Sequence, residues 1–314
     1  MKKQLFILLS LYTLMLFSQS AAASSTLKNR ANNSPGYSFG LRVVGKGKPM
    51  ILIPGMKGAA DTYNEIVAHY KDHYKCYVIT LAGFAGQPAS GELDHPLRQQ
   101  RDEIIRFIEE NKLHKPVLVG FSFGGSLALW IATTRPDLIG PLIELDGTPF
   151  DTAIDYPRVD VDSVKKALQK QHDKILSRPA SYWLRLDSVR KTAAYRKEGF
   201  EYLQKLATDS TRINEILDWD DRSDYKASFL MDGEQSALDL RDSVSKISSP
   251  ILVLGSWRGW DVVKTKEEAE KRYREQYAPA KSLTLAFSAN GKHFLMYEDF
   301  HWMIAQMDAF LNKH

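Results

Sequence analysis

Hydrophobic positions along this chain follow two rhythms that alternate. Short, almost wholly apolar runs recur at Met50-Ile51-Leu52-Ile53, Cys76 to Leu81, Val117 to Val119, Pro141 to Leu145, Pro250 to Gly255 and Ser282 to Phe287. Side chains alternate across a strand, so a short run that is apolar at every position suits a strand covered on both faces. Between these runs, Thr62 to His69, Arg98 to Asn111, Lys264 to Gln276 and Asp299 to Leu311 carry apolar residues at helical spacing, with polar residues on the other side. Tyr37 to Val44 alternates instead, and Gly45 to Pro49 turns the chain into the first apolar run. Strands interleaved with helices predict an α/β fold with a mostly parallel central sheet and helices on both faces.

The rhythm breaks twice. From about Phe150 to Arg241 the chain becomes charged, aromatic and helical in pattern, so residues 150–241 are expected to form a helical cap inserted into a core of 37–149 and 242–314. At the start, Met1-Lys2-Lys3 precedes an apolar stretch from Leu5 to Phe17 and the small residues Ala21-Ala22-Ala23. That order is the signature of a secretory signal peptide over 1–23, and the apolar stretch falls short of the roughly 20 residues that span a bilayer. The expectation is export to the periplasm or the medium, with a Ser/Asn-rich flexible arm over 24–36 and no membrane attachment after cleavage.

Charge and cysteine content narrow the partners. The formal net charge is +4, and removal of the two lysines in 1–23 leaves +2, with both signs interspersed and no long basic run. Nucleic acid is therefore not an expected partner, and a small-molecule substrate is. The single cysteine, Cys76, cannot close an internal disulfide, so export brings no disulfide framework.

Chemistry concentrates at Val117-Leu118-Val119-Gly120-Phe121-Ser122-Phe123-Gly124-Gly125. An apolar strand enters this stretch, and a segment of helical character from Ser126 to Ala132 leaves it. Gly120 and Gly124 bracket Ser122 in a G-x-S-x-G pattern, in which small residues let backbone segments approach while the serine is held on a sharp turn. Neither G-x-G-x-x-G nor G-x-x-x-x-G-K-[ST] occurs, so a nucleotide cradle is not indicated. A serine hydroxyl needs a general base within hydrogen-bond reach and a carboxylate to orient that base. Of the eight histidines, His293 is the one in a loop directly after a predicted sheet strand near the chain end. Ligands of open parallel sheets bind beyond the carboxyl ends of the strands, where Met56, Ser122, Asp146 and His293 all fall.

Taken together, the strand and Pro54-Gly55-Met56 loop, the turn at Ser122, the helical insertion and the terminal His293-Phe294 resemble the α/β-hydrolase superfamily over nearly all of the chain past residue 37. Ala82 to Pro88 and Gly291 to Met296 also resemble a bacterial group of exported or uncharacterised serine hydrolases. The resemblance implies a Ser–acid–His triad without metal or organic cofactor, and an oxyanion hole built from the backbone N–H groups of Phe123 and Met56. Many relatives carry His-Gly where this chain has Pro54-Gly55, a side-chain difference that leaves backbone donors possible.

Two residues compete for the acid. Most relatives place it after the strand ending at Leu254, usually three residues past the glycine, where this chain has Arg258; Asp261 follows in a longer loop and also reads as a helix N-cap. Asp146 ends the strand after the Ser122 helix, where some relatives hold their acid, and also reads as an Asp-Gly turn. His69 and His73 have zinc-like spacing, but Tyr70 stands where H-E-x-x-H needs glutamate, and they read as surface residues. Asp218, Asp220, Asp221 and Asp224 resemble a calcium loop that Arg222 interrupts, and they read as a solvated acidic face. Tyr182, Trp183, Trp219 and Phe229 read as packing within the cap. The expectation is a serine hydrolase acting on a carboxylic ester through an acyl-enzyme, with amide or peptide cleavage, or a silent binding role, as alternatives. Dehalogenase and epoxide hydrolase chemistry are disfavoured, because those relatives use a carboxylate nucleophile where this chain has Ser122.

Overall fold

The computed structural model of the chain describes residues 36–91, 93–260 and 262–314. The expected signal segment 1–23, the arm except for Gly36, and Asp261 lie outside the described residues. Each of the six apolar runs becomes a strand, and most of the alternating segment before them adds a seventh. They are β1 (Gly40–Gly45), β2 (Lys48–Ile53), β3 (Tyr74–Thr80), β4 (Val117–Phe121), β5 (Leu142–Leu145), β6 (Ile251–Gly255) and β7 (Leu283–Phe287). They form one seven-stranded sheet in the order β1-β3-β2-β4-β5-β6-β7. Only edge strand β1 runs antiparallel, against β3; the other pairings are parallel. The alternating pattern from Tyr37 predicted an earlier start for β1. Instead Tyr37 and Phe39 stack on each other, centroids 5.1 Å apart, and meet the edge of Phe107.

Both faces of the central strands are covered, which is why their runs are almost wholly apolar. Ile51, Ile53, Leu118, Leu142, Ile251 and Val253 face one core. Against it pack α2 (Pro96–Glu110), α3 (Phe123–Thr134) and α10 (Lys266–Gln276). Met50, Leu52, Val119, Ile143, Leu252 and Leu254 face the opposite core, against α1 (Asn64–Tyr70) and α12 (Phe300–Leu311). Full burial of one such aliphatic side chain contributes about 1.5–3 kcal/mol, so the alternation along each strand fixes its register as well as its stability. Cys76 is buried in β3 among the second set, and burial pushes its thiol up to about 11. It serves as a small core residue.

Between β5 and β6 the described residues contain helices and no strand. These are α4 (Thr152–Asp155), α5 (Val161–Leu176), α6 (Ala180–Arg190), α7 (Ala193–Leu206), α8 (Ser210–Arg222) and α9 (Tyr225–Ala237). Side-chain oxygens of Asp160, Thr192, Asp209 and Asp224 cap α5, α7, α8 and α9, each accepting from a first-turn N–H. The insertion leaves and returns at one point, where Leu240 N donates to Pro149 O at 2.9 Å. α11 (Leu295–Glu298) then joins β7 to α12.

Parallel pairing continues past the strand ends. Ser122 N donates to Leu145 O (2.9 Å), Asp146 N to Leu254 O (2.7 Å) and Ser288 N to Gly255 O (3.1 Å). The ends of β4, β5, β6 and β7 are thereby locked side by side at one edge of the sheet.

Candidate active site

Ser122 sits between β4 and α3 with φ 51° and ψ −117°, a left-handed conformation unusual for a residue with a side chain. The turn is possible only because its neighbours are glycines. A Cβ on Gly120 would lie 2.5 Å from Gly124 O, and one on Gly124 would lie 2.2 Å from Ile53 O and 2.4 Å from Pro54 O. The turn therefore packs directly against the end of β2 and the loop that follows it. Such strain persists where the surrounding structure over-determines it, and here it lifts the hydroxyl off the sheet edge.

His293 reaches Ser122 from the loop after β7. Its Nε2 is 2.9 Å from Ser122 Oγ, and its Nδ1 is 2.7 Å from Asp146 Oδ2. Since an ionised carboxylate only accepts, Nδ1 carries the proton and Nε2 presents a lone pair to the serine hydroxyl. The loop is held by Ser288, whose Oγ accepts from Asn290 N and Gly291 N and donates to Asp299 Oδ2. The imidazole lies against the rings of Phe121 and Trp260, with centroids 4.9 and 5.7 Å away.

Asp146 follows β5, also in a left-handed conformation (φ 53°), and its side chain has no solvent exposure. Three donors besides His293 hold the carboxylate. Ser256 N and Tyr273 OH donate to Oδ1, each at 2.8 Å, and Ser256 Oγ donates to Oδ2 at 2.6 Å. Trp260 Nε1 in turn donates to Ser256 Oγ at 3.3 Å. Burial, reinforced by the Asp146 charge, pushes the Tyr273 phenol well above its ordinary range, so it remains a donor. A carboxylate that accepts this many bonds is fixed in orientation even though it is removed from water.

Phe123 opens α3, so its N–H has no intrahelical acceptor. Met56 lies in the loop after β2, beside Gly55, whose Cβ would stand 3.0 Å from the Phe121 ring. Among the described residues neither N–H donates to a backbone acceptor outside the regular elements. Beneath the turn, Glu144 is fully buried with no hydrogen-bond partner for either oxygen. Its Oε2 occupies the space where a Cβ on Gly125 or Gly147 would sit, at 2.3 and 2.5 Å. Burial pushes its carboxyl well above the usual carboxylate range.

The structure thus brings Ser122, His293 and Asp146 into one chain of contacts, while Asp261 lies outside the described residues. Arg258 makes no part of that chain; its backbone bridges to Lys292. Sequence reasoning missed Ser256, Tyr273, Trp260 and Glu144. Ser256 alone had a signal, since it directly follows the glycine that ends β6 on the active edge. The acidic stretch of the cap needs correction for one residue: Asp220 is not solvated but pairs with Lys57, and its side chain is 17% exposed. Asp218 and Asp221 pair with Arg196 (2.8 and 2.9 Å), while Asp224 caps α9. His69 meets Asp308 at 3.1 Å, and among the described residues no group of three or more potential ligands is arranged to hold a metal ion.

Residues 50–306 match the profile of the Alpha/beta hydrolase family. A pimeloyl-[acyl-carrier protein] methyl ester esterase of Aliivibrio fischeri is 21% identical over 271 residues, covering 86% of this chain and 96% of that protein. An (E)-2-((N-methylformamido)methylene)succinate hydrolase of Acinetobacter baylyi is 27% identical over 152 residues, 48% of this chain and 56% of that protein. The chain spans about half, or less, of the first curated relatives it matches: 40%, 42% and 56% of their own lengths. Among solved structures, an esterase from Exiguobacterium antarcticum superimposes with a TM-score of 0.65 at 15% identity, over 87% of this chain and 95% of that one. At that identity the likeness is one of fold. A profile match over most of the sequence, on a sheet of this order and with a solved counterpart of the same fold, makes the chain a member of the Alpha/beta hydrolase family.

Proposed function

We propose that the chain is a serine hydrolase that cleaves a carboxylic ester of a small or acyl substrate through an acyl-enzyme. The observation that carries this reading is the unbroken relay from Ser122 Oγ to His293 Nε2 (2.9 Å) and from His293 Nδ1 to Asp146 (2.7 Å). Ser122 Oγ attacks the carbonyl carbon as its proton passes to His293 Nε2, and Asp146 stabilises the imidazolium that forms. The carbonyl oxygen becomes an oxyanion, met by the N–H groups of Phe123 and Met56. Collapse expels the alcohol, which takes the proton back from His293. Water, deprotonated by the same imidazole, then resolves the ester on Ser122 and restores the hydroxyl.

An ester is the favoured substrate class because its leaving alcohol needs less help than an amine. The Aliivibrio relative, named as a methyl ester esterase, supports that class, while the Acinetobacter relative is named for a formamido substrate and favours amide cleavage as the second reading. The test is labelling by a fluorophosphonate probe, followed by turnover of p-nitrophenyl esters and anilides of graded acyl length. Wild type should label and hydrolyse esters, and Ser122→Ala should do neither. Wild-type protein that is folded yet neither labels nor turns over would make the chain a binding member of the family.

A further inference from the structure

Each of the two loops that carry working groups also carries a lysine that reaches into the cap. Lys57 follows Met56 with φ 57°. Its ammonium pairs with Asp220 near the end of α8 and lies 4.8 Å from the centroid of Tyr225, the first residue of α9. Both charged side chains are less than one-fifth exposed, at 16% and 17%, so solvent screens the pair weakly. Arg190 completes the fastening. Its Nη1 donates to Asp220 O at 2.7 Å, its guanidinium lies 4.8 Å from the same Tyr225 ring, and Asp187 holds it from α6.

The second lysine precedes His293. Lys292 Nζ donates to Gln204 O at 2.6 Å and to Ala207 O at 3.4 Å. On the other flank of the histidine, Phe294 N donates to Leu206 O at 3.3 Å. The last carbonyls of a helix have no donors of their own and favour a cation. The histidine loop therefore supplies the C-terminal cap of α7, and Glu298 adds bonds to Thr208 N (2.6 Å) and Thr208 Oγ1 (2.8 Å) just beyond it.

We infer that Lys57 and Lys292 are positioning residues, which fasten the oxyanion loop and the histidine loop to the cap and so set where the Met56 N–H and His293 stand. The inference rests on the hydrolase reading above. Displacement of a working group by about 1 Å can lower a rate about 10²-fold, so loose fastenings should slow the chemical steps while substrate binding stays nearly intact.

The test uses the full chain and the best p-nitrophenyl ester. Lys57→Met, Asp220→Asn and Lys292→Met should each lower kcat about tenfold or more, with KM nearly unchanged and thermal melts showing folded protein. Lys57→Met combined with Asp220→Asn should be no worse than the poorer single variant, because both remove one fastening. Lys292→Arg should recover most of the rate, since it restores a cation at the end of α7. Should Lys57→Met fail to fold, Asp220→Asn tests the same fastening from the cap side and must itself lower kcat. Folded variants with wild-type kcat, or with unchanged kcat and raised KM, would overturn the inference while leaving a labelled, active wild type as a hydrolase. A wild type that neither labels nor turns over would overturn both.

Discussion

At the scale of single residues, the competition between Asp146 and Asp261 has a kinetic answer. Asparagine at 146 would keep the shape of the side chain but could also donate to Nδ1, which turns the imidazole into the wrong tautomer for accepting from Ser122. In a serine protease triad that change lowers kcat about 10⁴-fold, and Asp146→Asn is expected to behave likewise while Asp261→Asn leaves kcat near wild type. Ester hydrolysis by both variants, with melts to confirm folding, checks it; a fully active Asp146→Asn protein beside a dead Asp261→Asn protein reverses the assignment. Glu144 makes a pH prediction. Its folded pKa is raised above the unfolded value, so its contribution to stability is fully present below the unfolded pKa and is lost as pH rises toward the folded one. Over that window the loss is about 1.4 kcal/mol per pH unit. Glu144→Gln keeps a neutral polar group there at every pH. It should match wild type near pH 4 and exceed it in stability at pH 7 and above, as urea titrations across that range would show.

At the scale of elements, much was legible before any coordinates. Short, almost wholly apolar runs and helices of amphipathic spacing come from local chemistry, and both survive as β2 to β7, α2, α10 and α12. The turn at Ser122 was legible for the same reason, because its two glycines report a close backbone approach within the sequence itself. The partners of Asp146 were not. Ser256 lies 110 residues away and Tyr273 lies 127 away, and their roles exist only once β5, β6 and α10 are packed together. Lys57 and Asp220 were illegible in the same way, since a lysine in a loop and an aspartate in an acidic stretch look solvated until the inserted helices bring them together. One element-scale prediction follows from the approach of the turn to β2. A Gly124→Ala methyl would enter the space held by the Ile53 and Pro54 carbonyls, so overpacking should cost about 1–3 kcal/mol. It should also displace Ser122, and fluorophosphonate labelling should slow markedly relative to Gly233→Ala, a position with open space around it.

For the whole molecule, the leading segment and the sheet set separate expectations. The order of Met1-Lys2-Lys3, the apolar Leu5 to Phe17 and Ala21-Ala22-Ala23 implies removal before the chain does its work. Intact-mass measurement on natively expressed protein should find a start near Ser24, in the periplasmic or culture fraction; retention of Met1 to Ala23 would end the export reading. Past the sheet strands, the amides of Ser122 and Asp146 bond across to Leu145 and Leu254 in the middle of the parallel ladder. Both donors are thereby held in hydrogen bonds between neighbouring strands, which makes local opening at this edge costly. In deuterium exchange they should be among the last to be replaced.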